Sequence, residues 1–450
     1  MSRTDTHTEN RTDARIEART DARSDARTGA GATIRAALAA TLLAGTAAPA
    51  LAQETTLTVA MHYGQDDAAP LIECFRRYEE ANPGIRVEYQ QLSYRDYLQT
   101  VLTSRLGGQA PDIYHLYSIW GAQMVDNGVL AAPPAGIESF VRGNYAASTV
   151  DAASIDGTLY GVPSEVSAYM LVSNMALLRE AGFDAPPTTW DELVEIASAI
   201  TKRNEQGRIE TAGFAFADST SGTVHPFLVM LSSAGRDAFA DGFEGTNLAS
   251  PEAIDVVKKQ AALVASGVTD GSVDGFDFPA GGIGMIIMAN WLESDIRAGF
   301  GERFEEDVKV SAIPMGEDWR TLQYAFFYGV DSQSENQDEA WDLIAYVNSP
   351  ESASTEGGPS CTGEMLDALG ALTANAADLE AIGEQDGFTQ PFIAAINDDR
   401  AISEPNVIQS AEIQKLMSDA IRDVRAGDAE AAEAMGALDA SVSDVLAEFY

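Results

Sequence analysis

The sequence predicts an α/β protein built as two lobes, and two observations carry this. Strand-like and helix-like segments alternate from residue 56 to 128 and begin again after residue 168, and the 398 residues that follow position 52 exceed one ordinary domain. Thr56 to Met61 reads as a strand. Asp67 to Glu80 places Leu71, Ile72, Phe75 and Tyr78 on one helical face and stops at Asn82-Pro83-Gly84. Ile85 to Tyr89 is the next strand, and Tyr94, Tyr97, Leu98, Val101, Leu102 and Leu106 mark a second amphipathic helix that ends at Gly107-Gly108. Pro111-Asp112-Ile113-Tyr114 opens a third strand, and Gly121 to Asn127 a short helix stopped by Gly128. Strands joined by helices in this order imply a parallel sheet with crossovers, which binds ligands beyond the carboxyl ends of its strands.

The second stretch repeats the pattern. Thr189 with Glu192 forms a capping box for a helix through Ile200, and Ser250-Pro251 opens another that runs to Ser266-Gly267. Ile283 to Trp291 is a strand-sized apolar run. Val308 to Pro314 and Tyr324 to Val330 read as extended, and Asp338 to Asn348 as a helix that Ser349-Pro350 stops. The last hundred residues are alanine-rich helices, with Glu404-Pro405-Asn406 ahead of the penultimate long one.

Asp156-Gly157 reads as a tight turn between two short extended pieces; the second ends at Pro163, which blocks further ladder bonding, and Ala168 to Asn174 follows as a new strand. This segment, with Ala181-Gly182-Phe183, the helix opening Pro187-Thr188-Thr189-Trp190-Asp191-Glu192-Leu193 and the run Phe278 to Trp291, resembles the extracellular solute-binding proteins of ABC importers, in particular the maltose-binding-protein-like sugar binders. No single motif is specific; their order and spacing over 53–450 carry the resemblance. It implies a two-lobe periplasmic-binding-protein (Venus-flytrap) fold of type II with an interlobe ligand cleft. It further implies an amino-terminal lobe of 53–163 and 312–350 and a carboxyl-terminal lobe of 164–311 and 351–450, with the crossing at 156–174. The function it implies is capture of a mono- or oligosaccharide or related polyol by lobe closure and delivery to a membrane permease, by a monomer without cofactor.

An address precedes the lobes. Arg35 leads an apolar run from Ala36 to Ala50 that ends in the A-x-A site Ala50-Leu51-Ala52, so cleavage after Ala52 and export to the periplasm are expected. The run is too short to anchor in a bilayer, and no cysteine at the site offers a lipid attachment. Residues 1–30 carry a crude Thr/Ser-Asp-Ala-Arg repeat with almost no large apolar side chain and read as disordered.

The formal net charge is −41. The first 52 residues hold seven Arg against six Asp or Glu, which leaves −42 on the remainder. Such a surface repels nucleic acid and anionic membranes and disfavours an anionic ligand; its ordinary reading is solubility in salt. Cys74 and Cys361 are the only cysteines. They either remain buried thiols or pair, closing a long loop whose chain-entropy stabilisation is roughly 4–5 kcal/mol at best.

Enzyme signatures are missing from the sequence. Gly358-Pro359-Ser360-Cys361-Thr362-Gly363 has the wrong spacing for a nucleophile elbow, His62, His115 and His225 stand far apart without zinc spacing, and Gly281 occupies the place of the bidentate Glu in the faint calcium-loop echo from Asp270. The reading is therefore a binder rather than an enzyme. A sugar site needs flat rings for C–H faces and carboxylates or amides for hydroxyls. By resemblance Trp291 takes the place of the family's stacking tryptophan, against a role in lobe packing; Trp120, past the third strand, has the same two readings. Glu165 at the crossover either accepts sugar hydroxyls or is a solvated interlobe carboxylate. His62, Tyr63, Gln65 and Asp66 replace the ligand loop after the first strand, although Asp66 equally suits capping the next helix. Tyr94, Tyr328, Glu404 and Asn406 complete the candidates, with Tyr94 open to the apolar face of its own helix. Two other functions compete: a binder of a polyamine or another non-sugar solute, and a secreted carbohydrate-active enzyme with a facing carboxyl pair.

Overall fold

The computed structural model describes residues 54–383, 387–398 and 400–450. The expected leader, its cleavage after Ala52 and the repeat within 1–30 lie outside the described residues. No described helix is long and apolar enough to cross a membrane.

Strands β1 (Thr55–Met61), β2 (Ile85–Gln91) and β3 (Ile113–Tyr117) form the parallel set the alternation predicts: Val59 pairs with Tyr89 on one side and with Ile113 on the other. The connecting helices are α1 (Ala69–Ala81) and α2 (Tyr97–Leu106). α1 buries Leu71, Cys74, Phe75 and Tyr78, the helical face that its spacing marks.

The centre of the molecule is the strand β4 (Val162–Asn174), every residue of which is buried. Asp156 and Gly157, both at positive φ, make the turn of a hairpin between Ser154–Ile155 and Thr158–Leu159 that delivers the chain to it. The helices α3 (Trp190–Ile200), with its capping box in place, α4 (Thr220–Ser233) and α5 (Pro251–Ala265) alternate with β5 (Ile209–Ala215) and β6 (Ile283–Ala289). β7 (Val308–Ser311) and β8 (Thr321–Asp331) complete the long strands. The strand order is β2-β1-β3-β8-β4-β6-β5.

β4 changes partners along its length. From Val162 to Ala168 it runs antiparallel to β8, Gln323 standing opposite Ala168; from Tyr169 it lies between β6, where Ala289 faces Tyr169, and β7, where Val310 faces Val172. One strand thus belongs to both halves of the sheet. Pro163 does not stop it, contrary to the sequence expectation: it sits one residue inside the strand, where the register shifts between Phe326 and Phe327 and Ser164 bulges out. A bulge is the place where a missing N–H costs no ladder bond.

The helix α6 (Gln337–Val347) follows β8, and α7 (Cys361–Leu369) packs on α1, to which the Cys74–Cys361 disulfide ties it. Leu372 and Thr373 then pair with Val166 and Glu165 of β4. α8 (Ser410–Ala426) and α9 (Ala431–Leu446) pack on each other and on α5, and α8 also on α4.

Candidate functional site

The bulge in β4 sets the site. Beyond it Glu165, Ser167 and Tyr169 alternate on one face of the crossing strand, opposite Tyr324 and Phe326 of β8. A cavity of about 380 Å³ opens there, lined among others by His62, Tyr63, Asp67, Tyr94, Tyr117, Glu165, Tyr169, His225, Trp291, Tyr324 and Phe326. β1 supplies His62 and Tyr63 just past its carboxyl end and β3 supplies Tyr117 at its last residue, as expected for a parallel sheet.

The rings form a continuous wall. Phe326 stacks between His62, His115 and Tyr117 at centroid distances of 4.8, 5.3 and 5.3 Å, and Tyr117 meets Tyr324 edge-on at 5.2 Å. On the other side Tyr169 meets His225 edge-on at 4.9 Å, and the half-buried Trp291 leans on Phe276 at 6.1 Å. Such offset and edge-on pairs hold each ring in place and leave flat faces for a ligand.

Buried polar partners fix the tyrosine hydroxyls. Tyr63 donates to Glu165 Oε2, and Tyr117 donates to Glu404 Oε2. His225 bridges Tyr169 Oη, 2.7 Å from Nδ1, and Glu404 Oε1, 2.7 Å from Nε2, while Gln414 Nε2 also donates to Glu404. Burial pushes the Glu165 carboxyl up to about 7, against the bond from Tyr63, and lowers His62 to about 4. His115, buried beside His62, is held well below the ordinary histidine range; its Nε2 lies 2.8 Å from Ser164 Oγ, the bulge residue, which in turn donates to the Phe326 carbonyl. No Lys or Arg lines the cavity among the described residues, and none of its carboxylates sits in a His/Cys/Asp/Glu cluster able to hold a metal.

The structure brings together four of the sequence candidates, Tyr63, Tyr94, Glu165 and Trp291, at this one cavity. Three stand behind its wall. Trp120 is buried and stacks on Tyr97 at 5.1 Å while touching Tyr94 at 5.4 Å; Tyr328 is buried beside Thr362 and His115; Glu404 anchors Tyr117 and His225. Gln65 and Asp66 lie in an exposed turn, and Asp66 makes no cap to α1; the neighbouring Asp67 is the one at the cavity. Asn406 accepts from the Ala122 amide and faces, with Glu404, a larger pocket of about 790 Å³ that Leu322, Arg236 and Tyr450 also line. Phe239, Phe243, Phe449 and Tyr450 line that pocket as well, with Phe243 5.9 Å from Phe239 and 5.3 Å from Tyr450, but Glu165, Trp291 and the rings of the crossing do not. His62, placed by the sequence in the loop after the first strand, is at the cavity too; Tyr117, Tyr169, His225 and Tyr324 are additions of the structure, and the signal for two of them is position, since Tyr117 closes a parallel strand and Tyr324 is two residues from Phe326 on one face.

The family model for bacterial extracellular solute-binding proteins matches residues 73–356. A putative binding protein of Brucella abortus is 26% identical over 306 residues, 66% of this chain and 72% of the relative. The GacH receptor of Streptomyces glaucescens, solved unliganded and with acarbose, superposes with a TM-score of 0.72 at 19% identity over 88% of this chain and 100% of its own. The sugar-binding protein MalE of Xanthomonas citri gives 0.73 at 19% identity over 88% and 98%. These likenesses show the two-lobe fold, and by the match over residues 73–356 the chain belongs to the bacterial extracellular solute-binding protein family.

Proposed function

We propose that this chain is the substrate-binding component of an ABC importer and captures a carbohydrate, or a related polyol, in the cavity at the crossing strands. The observation that carries this is the lining: a wall of rings with tyrosine hydroxyls and carboxylates at its edges and no Lys or Arg. Rings accept the C–H faces of a sugar, and the polar edge takes its hydroxyls. A phosphate or carboxylate ligand would meet no cation here. A volume of about 380 Å³ lies at the small end of ligand pockets and suits one or two sugar rings. Trp291 and Glu165 are the proposed central contacts, with Tyr63 and Tyr94 beside them.

The proposed amino-terminal lobe holds β1–β3, β8 and β4 up to Ala168; β4 from Tyr169 enters the other. We place α7 with the amino-terminal lobe, because the disulfide and its packing on α1 put it there, so this lobe extends beyond residue 350. Ligand bound to one lobe recruits groups from the other and shifts the equilibrium toward a closed form that a permease recognises. We further propose export after cleavage at Ala52 and a monomeric working form.

A thermal-shift screen of the protein against mono- and oligosaccharides, polyols and diamines tests the reading. A sugar at about a hundred times its dissociation constant should add roughly 2.7 kcal/mol of stability. A shift with diamines alone would replace it by the polyamine reading, and sugar turnover by the enzyme reading.

A further inference from the structure

Three tyrosines at the cavity, Tyr63, Tyr117 and Tyr169, have hydroxyls that are already engaged inside its wall. A phenol has one proton and two acceptor positions. A carboxylate can only accept, so Tyr117 spends its proton on Glu404, and Tyr63 spends its own on Glu165. The same logic fixes His225: its Nε2 lies 2.7 Å from Glu404 Oε1 and must carry a proton, so in the neutral imidazole Nδ1 is bare and accepts from Tyr169 Oη at 2.7 Å. What remains of all three hydroxyls is acceptor capacity. Beside them stand the carboxyls of Glu165 and Asp67, neither of which has a Lys or Arg at the cavity, and the faces of Phe326 and Trp291. Every one of these features favours a donor over an acceptor, and rings with unpaired carboxylates favour a cation.

We infer that the cavity selects a sugar that carries a protonated primary amine over the same sugar with a hydroxyl at that position. The inference rests on the carbohydrate reading above and narrows it. A neutral sugar offers one donor per hydroxyl and must also bury acceptor oxygens, for which the three tyrosines have no proton left. An ammonium offers three donors and no acceptor. Asp67, exposed at the mouth, and Glu165, buried at the crossing and ionised above about pH 7, would flank it, and the acidic surface steers such a ligand inward. N-acetylation removes the charge and adds an acceptor, so it reverses the advantage.

The test is calorimetric titration of the protein at pH 7.5 and low salt with D-glucosamine, D-glucose and N-acetyl-D-glucosamine, with their (1→4)-linked disaccharides, and with 1,4-diaminobutane. The expected result is binding of the aminated mono- or disaccharide at least tenfold tighter than either neutral counterpart, a preference that 0.5 M NaCl reduces. Asp67→Asn and Glu165→Gln should each shrink the preference several-fold, read as the ratio of aminated to neutral affinity, with the unliganded melting of each variant as the control for folding; an unchanged ratio in both overturns the inference. Equal or tighter binding of the neutral sugars overturns the inference and leaves the carbohydrate reading standing. Binding of the diamine without any sugar overturns both, and no binding by any aminated sugar overturns the inference.

Discussion

Glu165 and His62 face one cavity with opposite shifts, and their effects on stability have opposite signs. Glu165 keeps its proton up to about pH 7 in the folded state, against an ordinary 4.5. Between those values the native state alone holds the proton, so stability falls as pH rises through the window, by about 3 kcal/mol in all. His62, lowered to about 4 from 6.5, takes up a proton only in the unfolded state over that range, so its contribution is present above pH 6.5 and is lost as pH falls toward 4. Buried His115 acts in the same direction as His62. The terms offset each other from about pH 4.5 to 6.5. Glu165→Gln should uncover the histidines and make the melting temperature climb more steeply from pH 4.5 to 6.5 than in the wild type. A pH profile of melting that is unchanged in this variant would mean that Glu165 titrates as an ordinary surface carboxyl. Tyr117→Phe should cost about 1–3 kcal/mol, because Glu404 is buried and loses one of its donors.

At the scale of elements the crossing is the test. A Cβ added at Gly161 would lie 2.4 Å from the Tyr328 carbonyl oxygen and 2.2 Å from the Phe327 ring, so Gly161→Ala should force β8 away from β4 and destabilise by about 1–3 kcal/mol or more, with loss of ligand binding. Thr189→Ala, which removes the capping box of α3, should cost about 1 kcal/mol and leave binding intact. The disulfide joins residues 287 apart, and its reduction should lower stability by up to about 5 kcal/mol in the chain-entropy model, read as a drop in the denaturant midpoint. Most elements were legible from periodicity and punctuation: the face of α1, the capping box of α3, Ser250-Pro251 at the head of α5, the Asp156-Gly157 turn. Pro163 was misread because a strand proline ordinarily ends pairing, and only the β8 partner reveals the bulge that accommodates it. For the same reason the wall of rings was half visible. Trp291 and Glu165 belong to a recognisable string and His62 to the loop after the first strand, whereas Tyr117, His225 and Tyr324 converge from three separate segments, and no local pattern reports that convergence. The burial of Trp120 against Tyr97 is likewise a fact of packing between β3 and α2, not of spacing.

The whole molecule carries −41, and β4 alone among the described strands pairs with both halves of the sheet. Screening of self-repulsion should raise the melting temperature between 0.05 and 1 M NaCl, and a flat response would show that the acidic residues are spread too thinly to repel. Lobe closure on a bound sugar should reduce the radius of gyration in small-angle scattering; an unchanged radius at saturation would leave binding without closure. The proposed function requires that a sugar bind in the ring-walled cavity at the crossing. Its most direct measurement is calorimetric titration of the best sugar from the thermal screen into wild type and Trp291→Ala, with the unliganded melting of both as a control. One site of micromolar affinity, about −8 kcal/mol, is expected in the wild type, and at least a tenfold loss in a variant that melts as the wild type does. Equal affinity in the two proteins would place the sugar elsewhere and contradict the account.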